Sequence, residues 1–259
     1  MDSWFSIVLL VVAVVAATGG VYLLRWRIPA EKLRRNNEVA GPIIGLVGVM
    51  YAVLVAFVTV TVWEKWSAAE GRSAQEANQV REMLRDVAAF PDSVSHPIRQ
   101  ELQRYIKVVI EEEWPIMATG EELPYLQAAL MDDLWQRVRA IQPVGDYQQI
   151  WYATLVDRMN DLSGLRQLRM LSCHPAVPGI MWIFLIAGGI LTILLTLLFG
   201  VESRHAHATM TAAVAGTIAF LLYLIAGLDL PYSGALQVSP EAFQHILPHA
   251  NQLLTKPPG

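Results

Sequence analysis

Charge is scarce in this sequence. Asp, Glu, Lys and Arg make up 16% of its 259 residues, against about 25% in an average soluble domain. The deficit is concentrated. Residues 3–24, 39–63, 170–201 and 205–228 contain none of the four. Each stretch is as long as the ~20 apolar residues that cross a ~30 Å hydrocarbon core. Four such stretches in one chain argue against a soluble globular protein. Cysteine is almost missing too. Cys173 stands alone, which excludes an internal disulfide and leaves a small buried side chain as its ordinary role. No Lys or Arg precedes Arg25. A signal peptide begins with a basic region and has a shorter apolar core, so the first stretch is expected to be a retained span.

Several chemistries also lack their residues. No nucleophile elbow, glycine-rich phosphate loop or two-histidine zinc helix occurs. No ionisable residue falls at mid-membrane depth, where ion-coupled carriers and intramembrane hydrolases place one. His205 and His207, and His245 and His249, are pairs without an evident third ligand, whereas a zinc site takes three or four. Pro248 is expected to break the helix between the second pair. No basic face with interleaved aromatics suggests nucleic acid. The expectation is a protein that is not an enzyme and has no cofactor, no metal and no nucleic-acid partner.

What is present is an all-α membrane protein. Four transmembrane helices form two pairs, with a helical soluble domain between spans 2 and 3. The spans cover about 5–24, 42–63, 177–199 and 208–228, with Trp4, Trp26, Trp63, Trp66 and Trp182 at interfacial positions. The division reads 1–63, first helix pair with a basic loop; 64–178, soluble domain; 179–228, second pair; 229–259, C-terminal tail. The soluble part carries 12 basic and 17 acidic residues. Its apolar residues recur at three and four, as in Ile98, Leu102, Tyr105, Ile106 and Val109, which marks helices. Further helical segments are expected at 123–141, 148–172 and 240–247, with breaks at Pro91-Asp92, Thr119-Gly120 and Pro143-Val144-Gly145. The first helix of the domain continues span 2. Glu111, Glu112 and Glu113 read as a solvated helix face.

The loop at 25–40 holds five of the 19 basic residues. The positive-inside rule therefore places it in the cytoplasm of a multi-pass cell-membrane protein, and Arg204 falls on the same side. Both termini and the acidic domain are then extracytoplasmic. Asn36, Asn37 and Glu38 precede span 2; an Asn there can cap its free amides, and Glu38 suits the positive helix end. Within span 2, Gly41, Gly45, Gly48, Ala52, Ala56 and Thr59 recur at helical spacing. Such small residues admit close helix packing or line the apolar constriction of a pore. Tyr51 and Phe57 are added as pore candidates, and Asn37, Glu38 and Asp229 as entrance residues.

The sequence resembles the bestrophin-like membrane proteins of bacteria and plants, a family without a settled activity. The matching residues are Asn37-Glu38-Val39-Ala40-Gly41 and Val47-Gly48-Val49-Met50-Tyr51-Ala52-Val53-Leu54-Val55-Ala56-Phe57. Others are Glu113-Trp114, Phe199-Gly200 and Leu228-Asp229-Leu230-Pro231-Tyr232-Ser233-Gly234, followed by Pro240. True bestrophins are pentameric anion channels whose second span lines the pore neck and whose soluble part is cytoplasmic. The resemblance implies an oligomeric ion channel with span 2 at the pore, and anions are the permeant class it suggests. Its partners would be ions, membrane lipid and further copies of the chain. It conflicts with the orientation read from charge. The alternative is a non-conducting membrane scaffold or envelope sensor whose helical domain binds a protein.

Overall fold

The computed structural model describes residues 3–35, 37–120 and 128–255. Asn36 as a cap, the side chain of Trp4 and the start of the 123–141 segment lie outside the described residues. The chain is an all-α membrane protein. Four helices are long and apolar enough to cross a bilayer, and no strand occurs among the described residues. The chain divides into two compact units, Met1–Glu64 with Pro175–Asp229, and Lys65–His174 with Leu230–Gly259.

The first unit holds α1 (Ser3–Arg27), α2 (Ala30–Arg34), the opening part of α3 (Asn37–Asp86), α8 (Gly179–Leu197) and α9 (Arg204–Asp229). The 19 residues of α8 rise about 28 Å, enough to cross the hydrocarbon core. α1 packs along α9, and α8 packs on α9. Small residues let these helices approach: Ala17 and Val21 of α1 are buried, as is Ala215 of α9.

The second unit takes the rest of α3, then α4 (Asp92–Val108), a wide π-helical turn (Val109–Glu113), α5 (Trp114–Thr119), α6 (Ala128–Arg139), α7 (Gly145–Leu171) and α10 (Glu241–Thr255). As expected, α3 runs unbroken from the second span into this unit, because Ala, Glu, Arg and Gln favour helix and only Gly71 interrupts them. It ends in a 3₁₀ turn at Val87–Ala89, where Phe90 turns extended ahead of Pro91. Gly120, at φ 75°, closes α5 in the left-handed region. The core is the union of the apolar stripes: Val80, Met83 and Leu84 from α3, Leu102 and Ile106 from α4, Leu155 and Met159 from α7.

Two expectations change here. The tail, divided off at 229, contributes to the second unit: α10 packs on α4 and buries Phe243, Ile246 and Ala250. It also runs on through Pro248. A proline costs an internal helix one backbone bond, and burial of that apolar face offsets the loss.

Candidate functional site

The membrane half of α3 carries three distinct faces. Tyr51, Val55, Val58 and Val62 are buried. Tyr51 lies across α8, where its hydroxyl donates to the Leu185 carbonyl at 3.1 Å. The ring needs the glycine pair opposite it. A Cβ on Gly188 would fall 2.7 Å from Tyr51 Cδ2, and one on Gly189 would fall 3.0 Å from its hydroxyl. Tyr51 is therefore a packing residue of this helix pair.

The second face is the small-residue one. Gly41, Gly45, Gly48, Ala52, Ala56 and Thr59 follow one another at three and four, roughly a quarter turn around from the Tyr51 face at 3.6 residues per turn. Among the described residues, no atom beyond the local helix backbone lies within 4 Å of a Cβ placed on Gly45 or Gly48, and Phe199 approaches one on Gly41 at 3.8 Å. A groove of about 540 Å³ runs here, walled by Gly48, Ala52, Ala56, Thr59, Thr192 and Thr217 among others. The hydroxyls of Thr59, Thr192 and Thr217 donate to carbonyls of their own helices, so the wall is largely apolar. Phe57 sits on the third face, 69% exposed, more than a third of a turn from the groove by helical geometry. It does not share the small-residue face, contrary to its grouping by sequence.

Two of the three entrance residues are clamps. Asn37 exchanges two hydrogen bonds with the Gly200 backbone: its Nδ2 donates to the carbonyl at 2.8 Å and its Oδ1 accepts from the amide at 2.9 Å. Gly200 is required, since a Cβ there would lie 2.3 Å from the Arg34 nitrogen. Beside it, Arg25 donates to the carbonyls of Val201 and Glu202 at 2.6 and 3.0 Å. Asp229 closes α9 and accepts from the amides of Ala176 and Val177 at 2.7 and 2.8 Å. Only Glu38 of the three is exposed. The histidine pairs separate: His205 Nδ1 meets the Tyr22 hydroxyl at 3.2 Å, and His207 meets the Thr196 carbonyl at 3.0 Å.

The second unit holds a cluster that sequence reasoning missed. Glu113 is fully buried rather than part of a solvated face; only Glu111 and Glu112 are exposed. Arg169, also fully buried, donates to both oxygens of Glu76 at 2.7 and 3.1 Å and to Glu113 at 2.5 Å. Arg166 donates to the other oxygen of Glu113 at 2.6 Å. The Tyr105 hydroxyl donates to Glu76 at 2.6 Å, and Trp114 lies under the Arg169 guanidinium at 5.5 Å. Two acids and two arginines sum to zero, the condition under which buried charge is tolerated. Burial pushes the Glu113 carboxyl up, but Arg169 and Arg166 outweigh it and hold the group below its usual range. Burial and the neighbouring Glu76 push the Tyr105 phenol well up. Trp114 also donates to the Val238 carbonyl at 3.0 Å and stands edge-on to Tyr232, whose hydroxyl meets Ser73 at 3.2 Å.

Of the residues singled out by sequence, Tyr51 thus falls on a helix contact, Asn37 and Asp229 on backbone clamps, the small residues on an open groove, and Phe57 and Glu38 on exposed surface. A family model described as the Bestrophin-like domain matches residues 11–243. The chain belongs to the bestrophin-like family. No curated protein matches its sequence at significance. Among solved structures, it is similar to a mutant form of a bacterial bestrophin homolog from Klebsiella pneumoniae, with a TM-score of 0.71 at 12% identity, over 95% of this chain and 99% of that one. A second mutant form of that homolog gives 0.71 at 13%, over 97% and 99%. A third structure of the homolog gives 0.64 at 15%, again over 97% and 99%. At such identities the likeness establishes a shared bestrophin-like fold.

Proposed function

We propose that this protein is a subunit of an oligomeric ion channel in which the small-residue face of α3 borders the conducting path. One observation carries the reading. A Cβ on Gly45 or Gly48 would meet no atom of another helix within 4 Å among the described residues, on a helix long and apolar enough to cross the bilayer. A face of Gly, Ala and Thr left unfilled suits either a further helix or a narrow water path. Its apolar wall suits a constriction that gates by wetting. The fold shared with bestrophin homologs supports the reading, and anions are the first permeant class to test. Ions, membrane lipid and further copies of the chain are the partners.

The site is the cell membrane, and in a bacterium the inner membrane. The basic loop is cytoplasmic and the helical domain extracytoplasmic. The five basic residues of the 25–40 loop support this. A thiol label that cannot cross membranes reaches an exposed Glu112→Cys in intact cells if this is right, and only after lysis if it is wrong.

Reconstitution of the pure oligomer into bilayers tests the channel. A Cβ at Gly48 meets nothing within 4 Å beyond its own helix; Gly48→Leu is expected to lower single-channel conductance while size-exclusion chromatography shows an intact oligomer. Absence of current from wild-type oligomer at every salt and voltage overturns the channel. Unchanged conductance in Gly48→Leu and Ala52→Leu removes α3 from the path. The second reading, a scaffold or envelope sensor, is favoured by exposed Val144, Tyr147 and Ile150 around the start of α7. Such an apolar patch on a water-facing unit suits a protein partner.

A further inference from the structure

At the α9 end of the first unit lies a cavity of about 130 Å³, bordered by Ile44 of α3, Thr196 of α8, and His207, Thr211 and Val214 of α9. It contains two polar groups with nothing to bond. His207 is 2% exposed and its Nε2 lies 3.0 Å from the Thr196 carbonyl oxygen. A carbonyl oxygen only accepts, so Nε2 carries the hydrogen, and in the neutral ring Nδ1 presents a bare lone pair. Neither that Nδ1 nor the hydroxyl of Thr211, itself 1% exposed, has a protein partner. The two residues are one turn apart on the same face of α9.

Buried polar groups are nearly always satisfied, by protein or by ordered water. The cavity exceeds the roughly 30 Å³ that one water occupies. We propose that it is a hydration site: a small group of ordered waters, one of which donates to His207 Nδ1 and shares a hydrogen bond with Thr211 Oγ1. The chemistry selects water. The Nδ1 lone pair demands a donor, while the threonine hydroxyl takes either role. An anion would meet that lone pair, and a cation would find one nitrogen and one hydroxyl where three or four ligands are wanted. The site holds whether or not the chain conducts.

Solid-state NMR of the full chain in lipid bilayers, with ¹⁵N-labelled histidine assigned through the backbone, tests this. The expected result, at a pH where the ring is neutral, is a proton on His207 Nε2 and magnetisation transfer from water to the ring. A proton on Nδ1 of the neutral ring, or no transfer from water, overturns the proposal. Thr211→Val provides an independent reading. In a hydrated cavity it removes a bond that water uses, and melting falls by about 2–4 °C, the shift expected for one bond of ordinary strength in a chain of this size. Thr211→Ser keeps the hydroxyl and the water signal. Unchanged or raised melting in Thr211→Val marks a dry cavity and overturns the assignment.

Discussion

Replacing Arg169 with Met leaves Glu76 without its two guanidinium bonds and Glu113 without one of its two. Methionine fills much of the same volume, so the cost is chiefly electrostatic. Removing one partner from a buried ion pair costs about 3–5 kcal/mol, because the remaining charge stays desolvated. Full burial of Arg169, Glu76 and Glu113 places this case at that end of the scale. In a chain of this length 1 kcal/mol moves melting by about 2–4 °C, so the expected fall is roughly 6–20 °C. Differential scanning fluorimetry of the purified protein in detergent reads it through the summed emission of its eight tryptophans. The decisive arm is the double variant Arg169→Met, Glu76→Met. If the cluster is a mutually dependent unit, the second change removes the orphaned carboxylate and melting recovers part of the loss. A fall under about 2 °C for Arg169→Met, or additive losses in the double variant, refutes the reasoning.

Three other outcomes follow from the same geometry. Glu113 is held below its usual range, so the folded state binds protons less readily than the unfolded one. Its contribution is present above the ordinary Glu range and is lost as pH falls through its folded value; acid unfolding below about pH 4.3 is shallower in Glu113→Gln, measured by circular dichroism. The Tyr232 phenol is pushed up by burial to about 12, so the folded state keeps its proton longer. Stability then declines between about pH 10 and that value, and Tyr232→Phe removes part of the tyrosinate absorbance that appears at the high-pH end of the titration. Gly188→Ala sets a Cβ 2.7 Å from the Tyr51 ring; overpacking costs about 1–3 kcal/mol, and Tyr51→Leu in the same chain restores much of the melting temperature.

The spans, the helical character of the second unit and its breaks were legible because each rests on local signals: charge-free length, three-four periodicity, Pro and Gly. The clamps were not, because each joins residues distant in sequence. Nothing near Tyr51 announces that Gly188 and Gly189 will receive its ring. Asn37 reads as a polar residue at a span entrance until Gly200 is beside it. The buried cluster did leave a trace. On α7, Leu155, Met159 and Leu162 advance by four and three, and the next steps land on Arg166 and Arg169. On α3, Glu76 follows Ala69 and Ser73 on the stripe that continues to Val80. Charges that interrupt an apolar stripe are candidates for burial, and the neighbouring Glu111 and Glu112, off the stripe, obscured Glu113. Phe57 was grouped with the small-residue face by motif proximity; the angle between successive residues separates them.

The bonds between Asn37 and Gly200 span 163 residues of sequence. At the usual synthesis speed of about 5–20 residues per second, Asn37 is made roughly 8–30 s before Gly200 exists. During that interval the amide of Asn37 and the guanidinium of Arg25 lie at the membrane surface without the carbonyls they later hold. Insertion of the first pair and assembly of the membrane unit are therefore separate events in time, and the second pair, when it arrives, acts as the latch.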